Sequence, residues 1–172
     1  ITIANGKIIT NRSLEGSSYG LIGFNEDNTL VLLHNVTGES ALEMGVRDAV
    51  TMAPFLIVNG NPSFTKGNGG WGYAARTAIG QRKDGIVLFL VIDSNHTRTK
   101  GASMKDLVEI MQRYGAVNAA NLDGGTSSAM VENGIMINDP IDSVGRHRTR
   151  GIPTVFNVCL LYTSPSPRDR TR

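Results

Sequence analysis

The sequence predicts an α+β fold with a mixed, largely antiparallel sheet and few packed helices. Two patterns of apolar segment, turn and apolar segment indicate β-hairpins, at residues 19–33 and 129–137. One segment, from Met104 to Met111, has the apolar spacing of a helix that is buried on one face. The 20 glycines exceed the average share of about 7%, which favours a fold with many tight turns.

The first part of the chain alternates short apolar segments with turn residues. Residues 19–24 and 29–33 flank a polar loop of four residues and therefore predict a hairpin. Residues 38–50 have a rough apolar face, which predicts a short helix. Phe55–Val58 predicts a short buried strand that is closed by Asn-Gly.

The second part contains the most strongly patterned strand and helix. Residues 86–92 form a continuous apolar run rich in β-branched side chains, which predicts a central strand ending at Asp93. Ser103 and Asp106 have the spacing of a capping box at the start of the Met104 helix, and Gly115 is suited to end it. Residues 152–158 predict a closing strand.

Residues 61–73 form a loop rich in Gly, Asn and Pro that contains the single tryptophan, Trp71. Such a tryptophan can be a core plug or a packing lid. It can also be a platform for a sugar, because an indole ring suits the apolar face of a pyranose. The loop leads directly to Arg76, so a lid over a site near that residue is a consistent hypothesis.

The charge distribution argues against nucleic acid as a partner. The formal net charge is +2, with 17 basic and 15 acidic residues. Residues 160–172 contain three Arg and one Asp, so the rest of the chain has 14 charges of each sign. A phosphate-backbone footprint is therefore poorly supported. No apolar run in this sequence approaches the roughly 20 residues of a membrane span. The sequence also contains no signal-peptide pattern, which in an N-terminally truncated chain says nothing about export.

We expect the chain to consist of one domain, residues 1–159, followed by a tail, residues 160–172. The tail has three Arg, two Pro and no periodic apolar pattern. It resembles translated sequencing-adaptor sequence, which indicates a non-native segment; a natural disordered tail is the alternative. In either case, residues beyond Leu161 are expected to pack against nothing. The only cysteine, Cys159, adjoins this tail, so the sequence supports no disulfide or zinc argument.

The segment Asn-Leu-Asp-Gly-Gly-Thr-Ser-Ser, residues 121–128, contains the most informative polar residues. Asn121 and Asp123 are two positions apart at the end of an apolar strand, so both side chains are predicted to point to one side. Gly124 and Gly125 permit positive φ and close approach of a ligand, and the hydroxyls and N–H groups that follow suit a polyoxygenated or phosphorylated ligand. The alternative is an ordinary turn in which Asp accepts local hydrogen bonds.

Three motifs in order resemble the phosphodiester glycosidase family. They are Arg-Thr-Ala-Ile-Gly at residues 76–80, a strand ending at Asp93, and Asn-Leu-Asp-Gly-Gly at residues 121–125, followed by the late Arg150 before a final strand. The resemblance covers roughly residues 1–158. It implies a glycosidase that cleaves the glycosyl-phosphate linkage of sugar-1-phosphodiesters, with a small-molecule or glycan phosphodiester as substrate.

The chain departs from the family pattern at three places. Ser94 stands where the family usually has Gly, and Thr126 stands where it usually has a third Gly. Both residues are small, so we expect altered loop geometry without loss of the site. The Asn-Gly-Gly-Phe-Phe-like segment that family domains have near their start is missing. We therefore expect an N-terminally truncated domain.

The resemblance and the residue chemistry together define a candidate site. Asp123 and Asp93, each at the end of a buried strand, are the candidate catalytic carboxylates, and Asn121 is grouped with them. Arg76 and Arg150 are the candidate phosphate forks, because a guanidinium contacts two phosphate oxygens at once. The predicted substrate-binding residues are Arg76, Thr77, Gly124, Gly125, Ser127 and Arg150. We expect Arg76, Asp93, Asn121 and Asp123 to converge on one pocket.

Structural alternatives exist for both arginines. Arg76 can form an ion pair with a carboxylate at the sheet end, and Arg150 can simply face solvent within the basic cluster of residues 145–151. His34, His96 and His147 lack the spacing of zinc ligands. We therefore expect no cofactor and no catalytic zinc; calcium or magnesium at Asp123 or Asp93 stays open.

Three functions are compatible with these observations. The first is the glycosidase, a hydrolase of carbohydrate metabolism for which the resemblance implies an extracellular or cell-envelope location and exopolysaccharide-like substrates. The second is a non-catalytic carbohydrate-binding domain that recognises cell-wall or capsular glycans. The third is a serine hydrolase using Ser127, which is disfavoured because no Gly-x-Ser-x-Gly motif is present. The sequence does not indicate an oligomeric state.

Overall fold

The computed structural model describes residues 1–94, 99–142 and 144–158. It contains two five-stranded sheets, a small two-stranded ribbon and two α-helices, which agrees with the predicted α+β class. Every strand pair among the described residues is antiparallel. The strands are β1 Thr2–Ala4, β2 Lys7–Thr10, β3 Gly20–Asn25, β4 Leu30–Leu33, β5 Val46–Met52, β6 Phe55–Val58, β7 Asn61–Pro62, β8 Arg76–Arg82, β9 Val87–Ile92, β10 Ala116–Asn121, β11 Val131–Glu132 and β12 Ile135–Met136. The helices are α1 Gly38–Glu43 and α2 Met104–Arg113.

The two large sheets pack face to face, and one helix covers the outer face of each. The first sheet has the order β2-β1-β5-β3-β4 and the second has the order β7-β6-β10-β8-β9. Three clusters of buried side chains fill the layers. The cluster between the sheets contains Ile22, Leu30, Phe55, Ile79 and Ala120. The cluster under α1 contains Ile3, Leu21, Ala41 and Ala49, and the cluster under α2 contains Leu56, Leu107, Val108, Met111 and Ala119.

Both predicted hairpins and the predicted helix are confirmed. Strands β3 and β4 pair with Ile22 opposite Leu32, and β11 and β12 pair around Asn133 and Gly134. The φ angles of these two turn residues are 51° and 78°, as a two-residue hairpin turn with the favoured twist requires. Helix α2 begins with a reciprocal capping box between Ser103 and Asp106.

The predicted helix over residues 38–50 is only partly right. Helix α1 ends at Glu43, and Val46–Met52 is strand β5, which pairs with β1 and β3. Gly45 has a φ of 78°, which stops the helix. The β-branched side chains that follow then suit the centre of the first sheet.

Two strand predictions are wrong. Residues 86–92 were expected to be central, but β9 is the edge strand of the second sheet and pairs only with β8 among the described residues. Residues 152–158 were expected to close the sheet, but they form no strand. Phe156 packs edge to face against Phe24 and against the cluster between the sheets, whereas Val155 and Val158 are exposed. The predicted tail, residues 160–172, lies outside the described residues.

A close approach between β3 and β5 makes Gly23 sensitive to substitution. A Cβ at Gly23 would lie 2.1 Å from the Asp48 carbonyl oxygen and 2.4 Å from the Ala49 Cβ. We expect Gly23→Ala to lower the free energy of unfolding by about 1–3 kcal/mol or more, because the backbone of β5 must shift. Urea unfolding measures this loss. Gly151→Ala is the control, since a Cβ there meets nothing within 4 Å; equal stability of the two variants would contradict the prediction.

Candidate functional site

The Gly-Gly turn after β10 runs along the beginning of β8. The Leu122 N–H donates to the Thr77 carbonyl at 2.8 Å, and the Gly125 N–H donates to the Ala75 carbonyl at 2.8 Å. The two glycines serve different purposes. A Cβ at Gly124 would lie 2.8 Å from the Ala75 oxygen, whereas Gly125 adopts a φ of 61°. The chain then forms a short 3₁₀ helix, Gly125–Ser127.

The turn leaves only some of its N–H groups available. The N–H groups of Gly125 and Ser127 already donate to the Ala75 and Gly124 carbonyls. Within the described ranges, the N–H groups of Gly124 and Thr126 have no such partner. Two of the four predicted donors therefore have no hydrogen-bond acceptor among the described residues.

Arg150 is bonded to the turn and does not simply face solvent. Its N–H donates to the Thr126 carbonyl at 3.3 Å. The guanidinium donates through Nε to the Ser127 hydroxyl and through Nη2 to the Asp123 carboxylate. The Asp123 and Arg150 side chains are 44% and 56% exposed, so water or a ligand can reach the pair. The structure thus brings three predicted residues into one contact group, in which Asp123 and Arg150 are partly exposed and Ser127 is buried.

Asp93 is connected to the end of the same turn through Asn138. Its carboxylate accepts the Asn138 side-chain amide at 2.7 Å and the Asp139 N–H at 2.8 Å. The same Asn138 amide donates to the Ser128 carbonyl at 2.9 Å. Asp93 is therefore connected to Ser128 through one residue, as Asp123 is connected to Ser127 through Arg150. Sequence patterns did not identify Asn138, because its role depends on a contact 45 positions away in the chain.

Asn121 is buried, and so is the hydroxyl oxygen of Thr77. Strand β10 ends at Asn121, so Asp123 lies two residues beyond it. The Asn121 side chain is 2% exposed, and its amide donates to the Ala53 carbonyl at 2.7 Å. Three buried oxygens have no hydrogen-bond partner among the described residues: Thr77 Oγ1, Asn121 Oδ1 and Ser128 Oγ. Asn121 is thus placed to hold the backbone rather than to touch a ligand directly.

Arg76, predicted as a phosphate fork, has main-chain partners. Its Nε donates to the Ala102 carbonyl at 3.0 Å. Its Nη2 donates to the Trp71 and Gly72 carbonyls, both at 2.9 Å. The residue is 7% exposed, and burial lowers the pKa of the guanidinium, which nevertheless stays charged. The guanidinium therefore connects the loop before β8 with the segment before α2.

A cleft of about 420 Å³ adjoins the Gly-Gly turn. The four residues expected to converge on one pocket are not among the residues that line this cleft. Three of their neighbours in sequence do line it: Ala75 precedes Arg76, Ser94 follows Asp93, and Gly125 is two residues after Asp123. A depression of about 410 Å³ at Arg82 and Gly115 lies at the opposite end of β8, away from every predicted site residue. The cleft is lined by Tyr73, Ala74, Ala75, Ser94, Lys100, Gly125, Thr126 and Ile141.

The aromatic residues before β8 are exposed. Trp71 is 47% exposed, so it is not the core plug that its loop position allowed. Tyr73 is 56% exposed and lines the cleft. A packing lid and a sugar platform are both still compatible with the exposed indole.

The described residues contain no helix long and apolar enough to cross a membrane. Across residues 1–94, 99–142 and 144–158, no group of three or more His, Cys, Asp or Glu side chains is placed to hold a metal ion. Ser127 has Arg150 as its side-chain partner. The described His147 contacts Asp139 instead, at 2.7 Å, so the serine hydrolase hypothesis gains no support.

Asp142 organises the loop beside the cleft. Its carboxylate accepts the N–H groups of Val144 and Arg146 at 3.0 and 2.9 Å. It also accepts Nε of Arg146 and Arg148 at 2.9 and 2.8 Å. The pKa of Asp142 lies well below its usual range. The main cause is the hydrogen bond from the Arg146 N–H; desolvation opposes it in part, and the hydrogen bonds from the Arg148 and Arg146 side chains lower the pKa further. The carboxylate is thus ionised throughout the neutral and mildly acidic range.

This pKa shift predicts an acid-sensitive contribution to stability. A carboxyl group whose pKa is lower in the folded than in the unfolded state stabilises the fold at pH values above its unfolded pKa of about 3.9. This contribution to stability is lost as the pH falls toward the folded-state pKa. We expect the stability difference between the wild type and Asp142→Asn to be constant from about pH 5 to 7 and to shrink below about pH 4. Urea unfolding across this range tests it. A difference that persists undiminished at the lowest pH would contradict the assignment.

Comparisons with known proteins agree with the fold and the motif order. The family model described as phosphodiester glycosidase matches residues 1–159. The SPbeta prophage-derived uncharacterized protein YomE of Bacillus subtilis is 29% identical over 129 residues, which cover 72% of this chain and 20% of that protein. Human N-acetylglucosamine-1-phosphodiester alpha-N-acetylglucosaminidase is 40% identical over 70 residues, which cover 40% of this chain and 13% of the human protein.

A solved structure shares the fold. It is the catalytic domain of zebrafish N-acetylglucosamine-1-phosphodiester alpha-N-acetylglucosaminidase, auto-inhibited by its pro-peptide. The TM-score is 0.67 at 22% identity, with 81% of this chain and 50% of that chain covered. The present chain therefore spans half of that structure and a much smaller part of the full-length relatives.

Proposed function

Because the chain belongs to the phosphodiester glycosidase family, we propose that it hydrolyses the glycosyl-phosphate linkage of sugar-1-phosphodiesters. The observation that most supports this proposal is the contact group of Asp123, Arg150 and Ser127 beside the cleft, in which the Asp123 and Arg150 side chains are about half exposed. It combines a carboxylate for a developing positive charge with a cation for a departing phosphate. Such a combination suits cleavage of an anomeric C–O bond.

The roles follow from exposure and hydrogen bonding. In the proposed reaction water adds to the anomeric carbon, the C–O bond breaks, and the phosphate monoester leaves with the bonding electrons. The proton that the added water releases passes to the solvent or to the phosphate monoester. Asp123 is the catalytic carboxylate, since its side chain is reachable and lies next to the free N–H of Gly124. Arg150 stabilises the departing phosphate together with the Gly124 and Thr126 N–H groups.

In this proposal Asp93 and Asn121 position the contact group and do not contact the substrate. Both oxygens of Asp93 already accept hydrogen bonds, from Asn138 and Asp139. We propose that Asp93 positions the turn through Asn138, and that Asn121 positions the end of β10 through Ala53. Thr77, whose carbonyl holds Leu122, has the same supporting role in this proposal.

Turnover of a defined phosphodiester tests the function. The wild-type chain is incubated with the methyl phosphodiester of N-acetylglucosamine 1-phosphate, chosen because the human relative is named for such linkages. We expect equal amounts of free sugar and methyl phosphate, measured by phosphorus NMR and sugar chromatography. Absence of both products at high protein concentration would refute the hydrolase proposal for this chain.

A non-catalytic carbohydrate-binding domain is the second candidate. The exposed Trp71 and Tyr73 favour it, because aromatic rings pack against sugars without any chemistry. The ion pair that already occupies Asp123 is also compatible with it. Glycan binding without turnover, lost on Trp71→Ala, would favour this candidate over the hydrolase.

A further inference from the structure

We propose that Lys100 and Tyr73 form the recognition subsite of the cleft, in which Lys100 contacts the phosphate and Tyr73 packs against the sugar. This inference rests on the proposed function for the class of substrate. Neither residue belongs to the Arg-Thr-Ala-Ile-Gly or Asn-Leu-Asp-Gly-Gly motif. Both line the cleft, together with Gly125 and Thr126 of the turn.

The charges around the cleft single out Lys100. Among the described residues that line the cleft, Lys100 is the one with a charged side chain. Within the described part of the chain it makes no ion pair and no side-chain hydrogen bond. Arg150, in contrast, is offset by Asp123. An anionic group in the cleft can therefore pair with the positive charge of Lys100. An ammonium group binds phosphate as a compact point charge.

Arg76 holds the two segments that contribute these residues. Its Nη2 donates to the carbonyls of Trp71 and Gly72, immediately before Tyr73. Its Nε donates to the carbonyl of Ala102, two residues after Lys100. The two segments also pair directly, because Ala74 and Ala102 exchange hydrogen bonds of 3.3 and 2.9 Å. The backbone beside both subsite residues is thus ordered before any ligand arrives.

A tight contact fixes the backbone next to Lys100. Gly101 has a φ of 78°, and a Cβ there would lie 2.1 Å from the Ala74 carbonyl oxygen. Only glycine permits this approach of the two segments. The Lys100 backbone therefore stays close to the cleft, while its side chain remains free to reach a ligand.

Tyr73 supplies the surface for the sugar. Its side chain is 56% exposed, so most of the ring is available for packing. The apolar face of a pyranose packs against such a ring. Ile141 extends the apolar surface on the lining of the same cleft. A ligand with a sugar and an anomeric phosphate thus matches both halves of the subsite.

Binding of two related probes tests the subsite without turnover. Calorimetry compares N-acetylglucosamine 1-phosphate with unphosphorylated N-acetylglucosamine, for the wild type, Lys100→Met, Lys100→Arg and Lys66→Met. Lys66 is the matched control, since it is an exposed loop lysine outside the cleft lining. We expect Lys100→Met to weaken binding of the phosphorylated sugar about tenfold or more, as loss of a charged hydrogen bond would.

The remaining variants and the neutral sugar separate the role of Lys100 from that of Tyr73. Binding of the neutral sugar should be unchanged in Lys100→Met, Lys100→Arg should retain most of the phosphate preference, and Lys66→Met should behave as the wild type. Tyr73→Ala should weaken binding of both probes, whereas Tyr73→Phe should not. Equal affinity of Lys100→Met and Lys66→Met for the phosphorylated sugar would overturn the inference, and so would a wild type without preference for it.

The subsite and the hydrolase proposal can fail separately. A wild type that binds the phosphorylated sugar through Lys100 but releases no product would support the subsite and overturn the hydrolase. A wild type that hydrolyses the phosphodiester with the same KM in Lys100→Met would overturn the subsite and support the hydrolase.

Discussion

Asp123→Asn is expected to lower kcat for phosphodiester hydrolysis by at least about 10²-fold. The substitution keeps the shape of the side chain and removes the negative charge that we assign to the oxocarbenium-like transition state. It also removes the ionic partner of Arg150, which leaves the guanidinium free to bind substrate phosphate more tightly in the ground state. The loss should therefore appear mainly in kcat, with KM unchanged or lower.

The chain offers a matched control for this variant. Asp84 also forms an ion pair with an arginine, Arg82, and the two side chains are 49% and 43% exposed. This pair lies at the other end of β8. Asp84→Asn should retain the wild-type kcat. Wild-type rates in Asp123→Asn would exclude the catalytic assignment and favour the carbohydrate-binding alternative.

Arg76→Met is expected to lower the free energy of unfolding by about 3 kcal/mol or more, because three main-chain carbonyls lose their charged donor. The affected carbonyls belong to Trp71, Gly72 and Ala102. Arg76→Lys should be almost as damaging, since one ammonium group cannot reproduce the spread of guanidinium donors across two segments. Urea unfolding measures both losses.

A control variant and the opposite outcome distinguish a supporting role of Arg76 from direct contact with phosphate. Arg12→Met removes an exposed arginine from a loop and should leave stability unchanged within about 0.5 kcal/mol. If Arg76 instead contacts phosphate directly, as its place in the motif suggested, Arg76→Lys would unfold like the wild type yet lose activity. Reduced stability together with a raised KM would agree with positioning of the cleft walls.

Local sequence was sufficient where neighbouring residues determine the structure. The Ser103 and Asp106 cap, the apolar stripe and Gly115 lie within 13 residues, and α2 begins and ends where they indicate. The Asn133-Gly134 turn likewise specifies its hairpin through backbone preferences at two positions. Such features need no information about the rest of the chain.

Strand position could not be derived in this way. The apolar run that ends at Ile92 has the composition of a central strand, yet β9 has one partner among the described residues. Its composition reflects packing of Leu88, Leu90 and Ile92 against the α2 cluster. An edge position depends on which other strands exist and in which order they pair, and periodicity contains no such information. The same limit applies to β5. Its apolar pattern predicted a helix, but the segment is a strand that pairs with β1 and β3.

The sequence by itself determined the fold class, the Gly-Gly turn and the residue types that could act on a phosphodiester, because propensities and motif spacing are local properties. Tertiary structure decided what each polar side chain contacts. It bonded Arg76 to backbone carbonyls, paired Arg150 with Asp123, and placed Asn138 between Asp93 and Ser128. It also brought Lys100 and Tyr73 to one cleft. These contacts join residues up to 45 positions apart, so no short segment of the sequence specifies them.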